Sequence, residues 1–198
     1  TAGFCMGVRR AVDMVLDASN FANEPIYTYG PLIHNPQVLD MLAKKGIYKV
    51  DTIPEKGSGI VLIRAHGVPP EDEKALEDAG FTVINATCPR VVRVQVIIHK
   101  YAQKGYSTII IGDKKHPEVV GLLGYAQGRG YAVTAIAALD ELPIFEKAVV
   151  VAQTTQNTAF WEEIKAWCEQ HAGHYELFNT ICGSTERRQT EIRELAQV

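Results

Sequence analysis

A pattern of strand end, turn and helix recurs along this chain, and a cysteine marks each occurrence: "TAGFCMGVRRAV" around Cys5, "VINATCPRVVRV" around Cys88 and "FNTICGSTERRQ" around Cys182. The cysteines are 83 and 94 residues apart. Other residues keep the same phase. His34 comes 29 residues after Cys5, in "GPLIHNPQV", and His116 comes 28 after Cys88, in "GDKKHPEVV". Each histidine follows a glycine by four residues and precedes a Pro-x-Val. Further on, an apolar run ends in a polar side chain, at His66 in "VLIRAHG" and at Thr154 in "VVVAQTT". Self-similarity of this kind means one structural unit built more than once.

The unit is α/β. The runs "IVLI", "TIII" and "AVVVA" are continuously apolar, as parallel strands covered by helices on both faces require. The spacing predicts helices from about Gly7, Pro36, Glu71, Pro89, Pro117, Thr158 and Thr185. It predicts strands at about 60–65, 81–87, 108–112, 131–136, 148–153 and 175–181. Pro36, Pro89 and Pro117 stand where a first helical residue belongs, and Gly46, Gly80 and Gly105 stand where helices end. The expected organisation is a first α/β unit at 1–88, a second at 89–181 and the start of a third at 182–198. A complete third unit would need roughly 80 residues, so the chain reads as a fragment lacking a first strand and most of a last unit.

At 46% hydrophobic and 22% charged, the chain has enough apolar surface for a real core. A net charge of -3 with scattered basic pairs gives no footprint for nucleic acid. No apolar run reaches 18 residues, so no membrane span is expected. No GxGxxG follows a strand, so neither a flavin nor a nicotinamide site is expected. Four cysteines without a CxxC pair are too few for a disulfide scaffold. Cys168 repeats at four-residue spacing with Phe160 and Ile164 and reads as helix core. Cys5, Cys88 and Cys182 sit instead at strand-to-helix junctions, where α/β proteins place their chemistry.

Three such units around a pseudo-threefold axis would bring one thiolate each to a common point. Soft sulfur ligands select zinc, copper(I) or an iron–sulfur centre. Three cysteines would leave a [4Fe-4S] cluster with one iron open to substrate.

The runs "GFCMGVRRAV", "GPLIHNPQV", "RAHGV", "ATCPRV", "HPEVVG", "QTT" and "TIC…T…RQ" together resemble the 4-hydroxy-3-methylbut-2-enyl diphosphate reductase family, over the whole chain. The resemblance implies mainly parallel α/β units in a pseudo-threefold arrangement around a central [4Fe-4S] cluster held by Cys5, Cys88 and Cys182. It implies removal of the substrate hydroxyl as water by two electrons and two protons, giving isopentenyl and dimethylallyl diphosphate, the last step of the methylerythritol phosphate route. It places His34, His66 and His116 around the diphosphate, gives Glu118 the delivery of protons, and makes Thr154 a relay between Glu118 and the hydroxyl. Gln37 occupies the place of Glu118 in the first unit, an asymmetry that a merely solubilising charge would not show. Thr185 is a further candidate at the start of the last helix, through N–H groups offered to a phosphate.

Two departures stand out. Lys115 replaces the family's glycine before the "HPEV" run, and the family's Ser-x-Asn segment falls beyond Val198. The fragment is therefore expected to be inactive. Electrons are expected from a separate ferredoxin or flavodoxin, in bacterial cytoplasm or plastid stroma. The rival readings are a zinc protein whose structural site is completed by three thiolates and a histidine, which metal analysis and absorbance would separate, and a binding module, either an electron carrier or a nonenzymatic diphosphate binder; a carrier would not need Glu118, Thr154 and three strand-end histidines around its cluster.

Overall fold

The computed structural model describes residues 3–196. The chain forms two compact units, Phe4–Val92 and Arg93–Val198, the second also taking in Gly3.

The first unit contains α1 (Met6–Phe21), β1 (Ile26–Tyr29), α2 (Pro36–Lys44), β2 (Ile47–Val50), β3 (Ile60–Ile63), α3 (Pro70–Asp78) and β4 (Thr82–Asn85). Its sheet is parallel throughout, in the order β2-β1-β3-β4. Strand β3 shows why "IVLI" has no polar residue. Val61 and Ile63 pack with Leu76 of α3, while Leu62 packs on the other face with Ala11 and Val15 of α1 and Leu42 of α2. Both faces of the strand are covered, and each such side chain contributes about 1.5–3 kcal/mol through its burial.

The unit boundary falls within α4 (Pro89–Gln103). Then follow β5 (Ser107–Ile111), α5 (Pro117–Gly124), β6 (Gly130–Val133), the short α6 (Ala137–Asp140), β7 (Lys147–Ala152), α7 (Thr158–Gln170), β8 (His174–Phe178) and α8 (Gly183–Leu195). The sheet order is β6-β5-β7-β8, again parallel. Strand for strand this is the topology of the first unit. Cys168 is buried on α7 with Trp161 and Ile164 in the core against β5 and β7, the role its spacing implies.

The ladders put the units in register residue by residue. Tyr29 pairs with Ile63 in one, and Ile111 pairs with Ala152 in the other. Arg64 therefore corresponds to Gln153 and Ala65 to Thr154, which makes Thr155 the counterpart of His66. Gly30 and Gly112, the residues after β1 and β5, each donate an N–H to the end of the edge strand, at Val50 and Val133.

Four elements depart from the sequence expectation. Strands β1 and β2 escape it because each has only four residues with polar or half-exposed side chains interleaved, and the single-turn α6 is too short to show a helical period. Helix α8 begins at Gly183, two residues before the expected start.

Candidate functional site

Each of the three junction cysteines stands immediately before the first residue of a helix, and each uses its carbonyl alike. Arg9 N–H donates to Cys5 O at 2.9 Å, Val92 N–H to Cys88 O at 3.0 Å and Glu186 N–H to Cys182 O at 3.0 Å. The thiols of Cys5 and Cys182 make no capping hydrogen bond to their helices. All three cysteines are partly buried and form no disulfide, whereas burial pushes the thiol of Cys168 up to about 11. A thiol so hard to ionise is a poor metal ligand.

The approach to the cysteine is built in the same way in both units. Asn85 ends β4, and its Oδ1 accepts from Thr87 N–H at 3.0 Å. Asn179 follows β8, and its Oδ1 accepts from Ile181 N–H at 3.1 Å. Cys88 N–H then donates to Ala65 O at 2.9 Å, and Cys182 N–H to Thr154 O at 2.7 Å. The N-x-x-C spacing was present in the sequence at both places, and only its repetition could have singled it out.

In the first unit, helix α1 lies against Cys88. A Cβ on Gly7 would collide with Cys88 Sγ, so only glycine lets the helix come this close. Arg10 Nη1 donates to Thr87 O at 3.1 Å, tying the same helix to the residue before Cys88.

His34 and His66 come together, with ring centroids 4.7 Å apart. They line a cavity of about 200 Å³ whose other walls include Phe4, Val8, Ile33 and Ala65. Apolar walls beside two imidazoles suit a small ligand with a hydrocarbon body and an anionic head. Gly30, at φ +70°, opens the loop that carries His34, and a Cβ there would meet the guanidinium of Arg64. Burial lowers the pKa of Arg64. Its carbonyl accepts from Gly67 N–H at 3.0 Å and closes the turn that carries His66. A larger hollow of about 310 Å³ in the second unit, walled by Leu139, Leu142, Phe145 and Trp167, contains none of the candidate residues.

The second unit holds the candidate acid. Pro117 opens α5, His116 caps it through Nδ1, which accepts from Glu118 N–H at 3.1 Å, and Glu118 is the second helical residue. A ring accepting at Nδ1 carries the proton of its neutral form on Nε2. Glu118 is 2% exposed. Its two carboxylate oxygens accept from one residue: Oε1 from Thr154 N–H at 2.6 Å and Oε2 from Thr154 Oγ1–H at 2.7 Å. Desolvation raises the pKa of Glu118, and the two bonds from Thr154 oppose the rise without cancelling it. The result is a buried carboxyl whose proton is held more tightly than usual. A hydroxyl stands against it and can pass that proton on. Thr154 also holds the cysteine turn, since its carbonyl is the acceptor for Cys182 N–H.

Thr185 lies in the first turn of α8, and its N–H already donates to Cys182 O at 2.8 Å. Lys115 is exposed, and its N–H bonds Asp113 Oδ1 at 2.9 Å, so it adds charge without crowding the turn.

A family model described as LytB protein matches residues 1–198. This chain belongs to the LytB family. A LytB relative from Opitutus terrae, named 4-hydroxy-3-methylbut-2-enyl diphosphate reductase, is 38% identical over 208 residues, covering 100% of this chain and 72% of its own length. A protein of the same name from Citrifermentans bemidjiense is 41% identical, covering 98% of this chain and 69% of its own. Among solved structures, (E)-4-hydroxy-3-methyl-but-2-enyl diphosphate reductase, described as the terminal enzyme of the non-mevalonate pathway, superposes with a TM-score of 0.87 at 38% identity, over 98% of this chain and 70% of its own. The Plasmodium falciparum E-1-hydroxy-2-methyl-but-2-enyl-4-diphosphate reductase gives 0.90 at 29% identity, over 98% and 63%. Among the described residues no helix is long and apolar enough to cross a membrane.

Proposed function

We propose that this chain supplies the cluster ligands and the proton-handling groups for the reaction after which its LytB relatives are named: reduction of 4-hydroxy-3-methylbut-2-enyl diphosphate, in which two electrons and two protons remove the hydroxyl as water to leave isopentenyl or dimethylallyl diphosphate. The observation that carries the reading is the buried Glu118 with both oxygens on Thr154. Such a group costs stability, and proton transfer in a dry site is the chemistry that needs it.

Cys5, Cys88 and Cys182 would hold a [4Fe-4S] cluster, which when bound supplies the electrons and an open iron for the hydroxyl. The donor set fits such a group, being three thiols outside any disulfide, each placed before a helix where the macrodipole favours negative charge. His34 and His66 take the diphosphate by donating ring N–H groups, while Phe4, Val8 and Ile33 exclude water from the hydrocarbon part. His116 serves the same anion through Nε2, its Nδ1 being engaged by the helix cap. Thr185 offers the same anion its hydroxyl, its N–H being engaged by Cys182 O. Glu118 supplies protons by way of the Thr154 hydroxyl. The electrons come from a ferredoxin or flavodoxin, and the compartment is bacterial cytoplasm or plastid stroma.

The test uses the 198 residues alone and the same residues joined to the segment by which the Opitutus terrae reductase exceeds them. Anaerobic reconstitution of the extended chain with iron and sulfide should give about four iron per chain and turnover, and the 198 residues alone should show no turnover. Changing Cys5, Cys88 or Cys182 to Ser should each abolish iron binding, while Cys168→Ser retains it. Full iron and turnover in Cys88→Ser would overturn the ligand assignment.

A further inference from the structure

We propose that Asn85 and Asn179 are positioning residues for two of the cluster cysteines, each setting the cysteine three places after it. This rests on the ligand assignment above. The physical need comes from the sheet. β4 and β8 are edge strands, in the orders β2-β1-β3-β4 and β6-β5-β7-β8, so past the strand end the chain has a neighbour on one side only. In the first unit Ala86 N–H reaches Ile63 O at 3.1 Å and Cys88 N–H reaches Ala65 O at 2.9 Å, while the N–H between them, on Thr87, faces away from that neighbour. Thr87 is only 4% exposed, which leaves its N–H little access to water. An unmet buried N–H would pull the turn apart, and the Asn85 side chain supplies the acceptor.

The amide of Asn85 is itself held, since its Nδ2 donates to Glu73 Oε1 of α3 at 2.9 Å. In the second unit only the first of the outer bonds differs: Thr180 Oγ1 accepts from Ala152 N–H at 2.9 Å and donates to its carbonyl, while Cys182 N–H reaches Thr154 O as Cys88 N–H reaches Ala65 O. The middle N–H, on the half-buried Ile181, is again met by an asparagine, here in an exposed bond that fixes the turn without answering a buried donor. The units have diverged at Gln37 against Glu118 and at Arg64 against Gln153, and between asparagine and cysteine they carry Ala-Thr in one and Thr-Ile in the other. In residue identity, only the asparagine, the cysteine and their spacing are common to both turns. Ala2 occupies the corresponding place before Cys5, so the device serves two cysteines and not the third.

The variants are Asn85→Ala, Asn179→Ala and Asn179→Asp, the last keeping an acceptor oxygen. Asn85→Asp is a poorer rescue, because the new carboxylate would face Glu73. In the iron-free chain, alkylation of individual thiols is followed by mass spectrometry. Asn85→Ala should change the rate at Cys88 and leave Cys182 as it was, and Asn179→Ala should do the reverse. In the reconstituted protein each Ala variant should release iron to a chelator about five-fold faster, the factor carried by one ordinary hydrogen bond, with an altered cluster spectrum. Asn179→Asp should restore both readouts. A role in general stability alone would move both thiols together, following the urea midpoint. Unchanged thiol rates and unchanged iron release in both Ala variants would overturn the proposal. Failure of the ligand assignment looks different, because the unaltered chain would then bind no iron, or would keep it in the Cys→Ser variants.

Discussion

Thr154→Val isolates the contact on which the proposed proton-handling site depends. Valine keeps the shape and the main-chain N–H to Glu118 Oε1 but removes the hydroxyl that donates to Oε2 at 2.7 Å. Glu118 is 2% exposed, so no water replaces the lost donor. A hydrogen bond to an ionised group contributes about 1.5–3 kcal/mol, one between neutral groups about 0.5–1.5 kcal/mol. The loss should therefore depend on pH. Burial already raises the Glu118 pKa above its ordinary 4.5, with the Thr154 hydroxyl opposing the rise, so the variant's carboxyl moves higher still. A raised carboxyl costs the folded state nothing below 4.5, where folded and unfolded chains are both protonated, and costs it increasingly as pH rises through the folded value. The gap between Thr154→Val and the unaltered chain should thus be smallest near pH 4 and grow toward pH 8. There a loss of about 1.5–3 kcal/mol lowers Tm by roughly 3–12 °C at 2–4 °C per kcal/mol. Thermal unfolding followed by circular dichroism across that range reads it directly, with Thr154→Ser as the control that restores the hydroxyl. A gap that stays constant or narrows toward pH 8 would refute the idea that the hydroxyl stabilises a buried carboxylate.

Glu118→Gln keeps the shape and removes the ionisable group, so its stability should vary less with pH than that of the unaltered chain. Turnover in the extended, reconstituted protein should fall by roughly 100-fold or more while substrate still binds, as kinetics and equilibrium titration would show. Cys168, at about 11, should resist iodoacetamide at pH 8 until the chain unfolds, and peptide mapping of native and urea-treated protein tests this. Gly7→Ala gains about 1 kcal/mol of helix propensity but places a methyl on Cys88 Sγ, an overpacking cost of about 1–3 kcal/mol. It should leave stability level or lower and reduce iron retention, measured by iron content after gel filtration.

Legible in the sequence were the α/β class, the repetition of one unit and a set of candidate site residues. Those follow from local rules: apolar runs too continuous for half-exposed strands, prolines at helix starts, and cysteines and histidines recurring in phase. The same local rules overlooked β1 and β2, because "IYTY" and "IYKV" are four residues long and only partly apolar, and β2 lies at the sheet edge. Their stability comes from pairing with strands distant in sequence, although the repeat could have revealed β1 as the counterpart of β5. The tertiary structure alone decided the rest. Glu118 and Thr154 are 36 residues apart, so nothing local shows that both carboxylate oxygens rest on one residue or that burial tightens the proton there. The ladder register made Ala65, and not His66, the counterpart of Thr154, a matter of pairing rather than of residue type. Gly7 reads as an indifferent helix residue until the fold sets it against Cys88, and Asn85 and Asn179 read as ordinary turn residues until the edge strands leave one N–H turned away from the neighbouring strand.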